Sequence, residues 1–151
     1  MQVHKQLRVI REYRPELDTL IANDPVRAHI PAYMRLSANH EIYALDRGSN
    51  ILGVTCVAYL DSIPAIEDDL FLNCDSYDVA CFYTVWSNAP GAGREVLNRT
   101  LANIKVMKPW VNYVCTLSPK TEMARRFHTA NGAWLHRENE TTDNYCYKME
   151  R

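Results

Sequence analysis

The chain has 151 residues, enough for one domain with a real core and too few for two comfortable ones. Hydrophobic residues make up 47% and charged residues 23%, and a formal net charge of −1 gives no basic field for nucleic acid or an anionic membrane. No apolar run approaches the roughly 20 residues of a membrane span, and Met1-Gln2-Val3-His4-Lys5 lacks the apolar core of a signal peptide.

In chain order, Lys5 to Tyr13 alternates weakly and predicts a first strand, and Pro15 to Ile21 a short helix with proline in its first turn. Asp24-Pro25 repeats the helix-start signal, and Val26, His29, Ile30, Tyr33 and Leu36 recur at helical spacing, which predicts a second helix. Glu41–Leu45 and Ile51–Leu60 read as a hairpin across Asp46-Arg47-Gly48-Ser49-Asn50. Asp61 to Asp78 holds six acids and no Lys or Arg, and reads as an excursion with a short helical turn, either simply solvated or able to attract a cationic amine.

The apolar run Val79 to Trp86 predicts a core strand, followed by the glycine turn Ser87 to Arg94 and a helix from about Gly93 to Met107 that Pro109 stops. Trp110 to Leu117 is the next strand. A helix over Pro119 to Ala130 follows, with Ser118 as N-cap, Gly132 as terminator, and Met123, Phe127 and Ala130 toward the core. Ala133–Arg137 and Asn144–Met149 close the chain as a hairpin. Four of the five cysteines (Cys56, Cys81, Cys115, Cys146, with Cys74 apart) fall in strand-like runs, where a reduced cysteine acts as a small hydrophobe. With no C-x-x-C pair, a cytoplasmic protein without disulfides or a metal is the simplest reading.

A strand that feeds a glycine turn opening a helix presents free backbone N–H groups and a positive helix end, which suits a phosphate. Gly91 and Gly93 let the backbone approach a ligand, Arg94 adds a cation, and Pro90 has no N–H to give. A helix start that merely needs positive φ explains the same residues. Neither the Walker spacing nor a dinucleotide fingerprint fits.

Taken with its surroundings, Asn88-x-x-Gly91-x-Gly93 resembles the pyrophosphate loop of the GNAT superfamily of N-acetyltransferases, written Q/R-x-x-G-x-G/A, with Asn88 in place of the usual Gln or Arg. Ala124-x-x-Phe127-His128-x-x-x-Gly132-Ala133 resembles that superfamily's A-x-x-L-Y-x-x-x-G-F, with His128 where a tyrosine acid is common. Phe82-Tyr83, Ser87, Gly91, Thr116-Leu117-Ser118-Pro119, Phe127-His128-x-x-Asn131-Gly132-Ala133 and Asn144-Tyr145-x-Tyr147 are also similar to the catalytic half of malonyl-CoA decarboxylases, which have a GNAT-type fold and use a serine and a histidine. Those mapped positions are Ser87 and His128.

The resemblance implies an α/β (α+β layered) domain over the whole chain, with a mixed, mostly antiparallel sheet of about 6–7 strands and about 4 helices. It implies acetyl-CoA or another acyl-CoA held by Val85, Trp86, Asn88, Ala89, Gly91, Ala92, Gly93 and Arg94, with a strand amide near Val85 polarising the thioester. His128 is then the acid for the thiolate or a packing residue, and Ser87 a substrate donor or a loop residue. Tyr83 is more simply core than catalytic. Asp78 or Glu41 is a candidate base for a small-molecule or protein amine. The activities implied are N-acyl transfer, or decarboxylation of malonyl-CoA through Ser87 and His128. A non-catalytic GNAT-fold protein of the kind found in bacteriophages is the third reading, and the fold admits a homodimer.

Overall fold

The computed structural model describes residues 3–149; Met1 and Gln2, part of the stretch read above for a signal peptide, lie outside them. Eight strands form one sheet: β1 (Lys5–Ile10), β2 (His40–Arg47), β3 (Asn50–Leu60), β4 (Val79–Ser87), β5 (Tyr113–Thr116), β6 (Ser118–Pro119), β7 (Trp134–Glu138) and β8 (Thr142–Tyr147). They run β1-β2-β3-β4-β5-β8, with β6 and β7 both paired to β8. Every pairing is antiparallel except β4 with β5. Three helices, α1 (Glu16–Ile21), α2 (Ala92–Met107) and α3 (Glu122–Ala130), and two 3₁₀ turns, Ala32–Arg35 and Glu67–Phe71, complete the chain.

Alternation along the strands builds two cores. On one face Ile42, Val54, Cys56, Leu60 and Trp86 pack under Leu17 and Ile21 of α1. On the other, Tyr43, Val57, Tyr59 and Phe82 receive Leu97 and Ile104 of α2. Residue 53 is glycine because a Cβ there would stand 2.8 Å from the Ala92 carbonyl oxygen, so the start of α2 rests directly on β3. Among the described residues no helix is long and apolar enough to cross a membrane.

The structure departs from the sequence reading in three places. The predicted helix over residues 24–36 is a run of turns ending in a 3₁₀ turn, so α-helices number three rather than about four, while the strands number eight. Apolar spacing misleads there because burial does not follow it: Val26 and Tyr33 are exposed, while Arg27 and Arg35 are buried along with Ile30. Pro31, which has no N–H to donate, sits in extended conformation in the middle of the segment. Ser118-Pro119 is the short strand β6, and α3 starts three residues later with Thr121 as N-cap, its hydroxyl accepting from the Ala124 N–H at 3.2 Å. Met123 and Ala130 face solvent, and His128 is the buried residue of α3.

Candidate functional site

The site begins with a bulge. Between β3 and β4 the register moves from Cys56 opposite Thr84 to Val57 opposite Phe82, so Tyr83 is an extra residue that bends β4. Parallel pairing with β5 covers only Val79–Phe82. Beyond Phe82 and Thr116 the ladder ends, and the strands part across a gap that one side chain bridges.

Arg27 lies in that gap. Its Nε donates to the Tyr83 carbonyl at 3.1 Å, its Nη2 to the Leu117 carbonyl at 2.7 Å and its Nη1 to Glu67 Oε1 at 2.8 Å. One guanidinium thus satisfies a carbonyl from each parted strand. Asp24 fixes the segment that carries it: Oδ1 accepts from the Val26 and Arg27 amides and from the Thr84 hydroxyl, and Oδ2 from Arg35 Nη1 at 2.7 Å. Burial alone would raise the Asp24 pKa, but the Arg27 amide, the Arg35 guanidinium, the Val26 amide and the Thr84 hydroxyl hold it below the usual value. Glu67 Oε2 meets His29 Nε2 at 2.8 Å, and the hydrogen bonds from His29 and Arg27 outweigh its desolvation and lower its pKa.

At the end of β4, Asn88 donates its backbone N–H to Leu52 O at 2.7 Å and its side-chain amide to Ile51 O at 3.2 Å. It ties the loop to β3, which accounts for an asparagine where the resembled motif has Gln or Arg. Gly91 then takes a left-handed conformation, φ +76°, with nothing within 4 Å of where a Cβ would stand. Intrahelical bonding in α2 starts with Glu95 N to Gly91 O, which leaves the Gly93 and Arg94 amides without a helical acceptor beside the exposed Arg94 side chain. A Cβ on Gly93 would stand 3.5 Å from the Phe127 ring and 3.7 Å from Ser87 Cβ, so this loop, Ser87 and α3 meet there.

His128, the next residue, is buried: its ring stacks on Tyr145 at 5.3 Å, meets Phe127 edge-on, and places Nδ1 2.7 Å from the Tyr147 hydroxyl. Burial drops its pKa to about 4, so at neutral pH it is an uncharged imidazole rather than a store of protons. The same burial raises Tyr147.

The structure therefore brings Val85, Trp86, Ser87, Asn88, Ala89, Gly91, Ala92, Gly93 and Arg94 to one end of β4, with His128 behind Phe127. Ser87 is exposed and His128 bonds Tyr147, so the two form no hydrogen-bonded dyad among the described residues. Tyr83 is buried in the core on the α1 face. Asp78 precedes β4 at the opposite end, roughly 30 Å of extended strand from Ser87, and is not brought to the site. Glu41 is committed elsewhere, to Arg11 at 2.9 Å, the Tyr43 hydroxyl and Lys108. Burial pushes the Cys56 and Cys146 thiols up to about 11, away from nucleophilic chemistry. The sequence reading missed Arg27 and His29 and took Glu67 only as one acid of an excursion that could attract a cationic amine; an arginine inside a falsely helical pattern was the one signal for Arg27, and it reads as solvent-facing.

No family model and no curated protein matches this chain. Solved structures do. The malonyl-CoA decarboxylase of Agrobacterium vitis superposes with a TM-score of 0.79 at 18% identity over 97% of this chain, which spans 61% of that longer protein. A protein of Desulfovibrio desulfuricans described as an acetyltransferase of the GNAT family matches with a TM-score of 0.67 at 12% identity, over 96% of this chain and 100% of its own. The chain has the GNAT fold. Arabidopsis thaliana NAA60, solved in complex with acetyl-CoA, shares that fold at a TM-score of 0.65 and 12% identity, over 95% and 98% of the two chains. At such identities the GNAT fold is what is shared, and the reaction has to be argued from the site.

Proposed function

We propose that this chain binds an acyl-CoA in the gap between β4 and β5 and transfers the acyl group to an amine of a small molecule or protein. The observation that carries this is the parting of the strands at Phe82 and Thr116 directly upstream of a loop whose helix amides lack acceptors. The residues fit the ligand. Open space above Gly91, the Gly93 and Arg94 amides and the Arg94 cation suit a pyrophosphate. The edge of β4 beyond Tyr83, whose own carbonyl Arg27 holds, has no β5 partner and suits the amide groups of the pantetheine arm, and a strand amide near Val85 polarises the thioester carbonyl. A neutral His128 serves as a hydrogen-bonding group held by Tyr147, with proton delivery to sulfur a lesser role.

The test is a thermal-shift titration with CoA followed by incubation of acetyl-CoA with amines. Stabilisation of about 2.7 kcal/mol is expected at 100 Kd, together with amine-dependent release of free CoA. No shift at millimolar CoA removes the reading.

A second reading, decarboxylation of malonyl-CoA, is favoured by one observation: an uncharged His128 boxed by Phe127, Tyr145 and Tyr147. Loss of CO₂ from a malonyl thioester leaves an enolate, and a neutral imidazole in an apolar pocket is a suitable donor to such an oxygen. Malonyl-CoA alone then yields acetyl-CoA, lost in Ser87→Ala, whereas a transferase needs an added amine.

A further inference from the structure

Resting on the acyl-transfer reading, we infer that the acceptor enters over the face of the gap where Glu67 and His29 meet, and that His29 takes its proton. The placement comes from Arg27, which bonds the carbonyls of Tyr83 and Leu117 at the point where the strands part and also Glu67 Oε1. One guanidinium and one carboxylate therefore separate His29 from the edge of β4 against which the thioester is proposed to lie.

The tautomer follows from the contact. Glu67 stays ionised because its pKa is lowered, so it accepts, and His29 Nε2 carries the hydrogen at 2.8 Å. In the neutral ring Nδ1 then holds a lone pair on the side turned from Glu67, and the side chain is 62% exposed, open to an incoming ligand. A carboxylate behind an exposed imidazole orients the ring and stabilises the imidazolium once it forms. The titratable and charged groups described against His29 are Glu67 and, through it, Arg27.

The acceptor fitting this face is a cationic primary amine, since the adjoining turn carries Glu67 and the exposed Asp68, with Asp69 capping the turn through the Ala65 and Ile66 amides. The step balances. The ammonium gives up one proton, relayed through solvent to Nδ1, and the free amine attacks the thioester carbon. A C–N bond forms and the C–S bond breaks. The surplus proton of the new amide nitrogen ends on the departing sulfur, and His29 returns its proton to solvent.

The experiment compares wild type with His29→Gln, using spermidine, protonated at neutral pH, and aniline, which is not. CoA stabilisation is measured on both proteins. Because the imidazole is exposed, His29→Gln is expected to fold and to bind CoA as wild type does. Its kcat/KM with spermidine is expected to fall about 10²–10⁴-fold, with aniline turnover little changed. Glu67→Gln should show the same preference with a smaller loss, and the double variant no more than His29→Gln, since the pair acts as one unit. Equal rates with spermidine overturn the inference while CoA binding leaves the reading standing, and an equal loss with both amines marks His29 as structural and overturns it as well. Absence of CoA stabilisation, or turnover of malonyl-CoA without transfer to either amine, removes the acyl-transfer reading and this inference with it.

Discussion

On the α2 side of β4 the candidate site is made of backbone: an αL glycine, two amides at a helix start and the unpaired edge of a strand, all within residues 82–94. On the α1 side it is made of side chains from three separate stretches, with Asp24, Arg27, Arg35 and Glu67 joined to Tyr83, Thr84 and Leu117. The first half gets its chemistry from chain direction and φ, so most side chains in it are exchangeable. The second half depends on charges held out of water, where each member needs its partner. The two halves should therefore fail differently.

Asp24→Asn should be the largest failure. It leaves Arg35, fully buried, without its carboxylate, at a cost of about 3–5 kcal/mol in urea unfolding. The acid response checks the same pair. A carboxylate with a lowered folded pKa contributes stability that is complete above its unfolded value near 4 and is lost as pH falls through the folded value. Asp24→Asn should flatten that part of the stability curve; an unchanged acid limb would mean the network carries little.

His128 comes next and acts at higher pH. Its folded pKa of about 4 lies below the unfolded value near 6.5, so the unfolded chain takes up the proton first. Its contribution is complete above pH 6.5 and declines down to about pH 4, by up to about 3 kcal/mol at 1.4 kcal/mol per pH unit. His128→Phe should remove the slope in that window, read from melts at successive pH values.

For the backbone half, Gly91→Val should cost about 1–3 kcal/mol through the φ of +76° and abolish stabilisation by CoA. Gly91→Asn, which accepts the left-handed region more readily, should keep more of both. Similar behaviour of the two variants would show that crowding rather than φ governs the loop. The smallest effect sharpens a boundary. Thr121→Ala should cost about 1 kcal/mol by uncapping α3, while Ser118→Ala should leave helix content unchanged by circular dichroism, because Ser118 bonds Thr116 rather than a helix amide.

What could be read from the sequence follows the same division. The strand, glycine turn and helix from Val79 to Met107 were legible because apolar period, turn residues and Pro109 all act within a few positions. Even the excursion after β3 was legible, its helical turn being the 3₁₀ turn Glu67–Phe71. Residues 24–36 were not. Their conformation is set by Asp24 capping its own turn and by Arg35 reaching the carbonyls of Arg27 and Ile30, so three charged residues are buried beside Ile30 and Ala32. The pairing of Glu67 with Arg27 and His29 was illegible for a related reason: those partners lie 40 and 38 positions away, and an acid-rich stretch shows only its charge. The start of α3 was misplaced because Ser118-Pro119 carries a helix-start signal while pairing with Thr142 and Asp143.

The extra residue at Tyr83 has a consequence for how this chain tolerates change. Before it, Val79, Cys81 and Tyr83 share the α1 face; after it Trp86 returns to that face and Val85 lies on the other. Parity along β4 is thus broken once, and the loop inherits the broken count. Substitution at 83 alters a contact, whereas deleting one residue between Phe82 and Trp86 sets Phe82 and Thr84 side by side against Val57 and Cys56, which keeps the faces but removes the bulge and the bend it puts into β4. In natural or engineered variants, the length of this strand should be fixed more tightly than its composition.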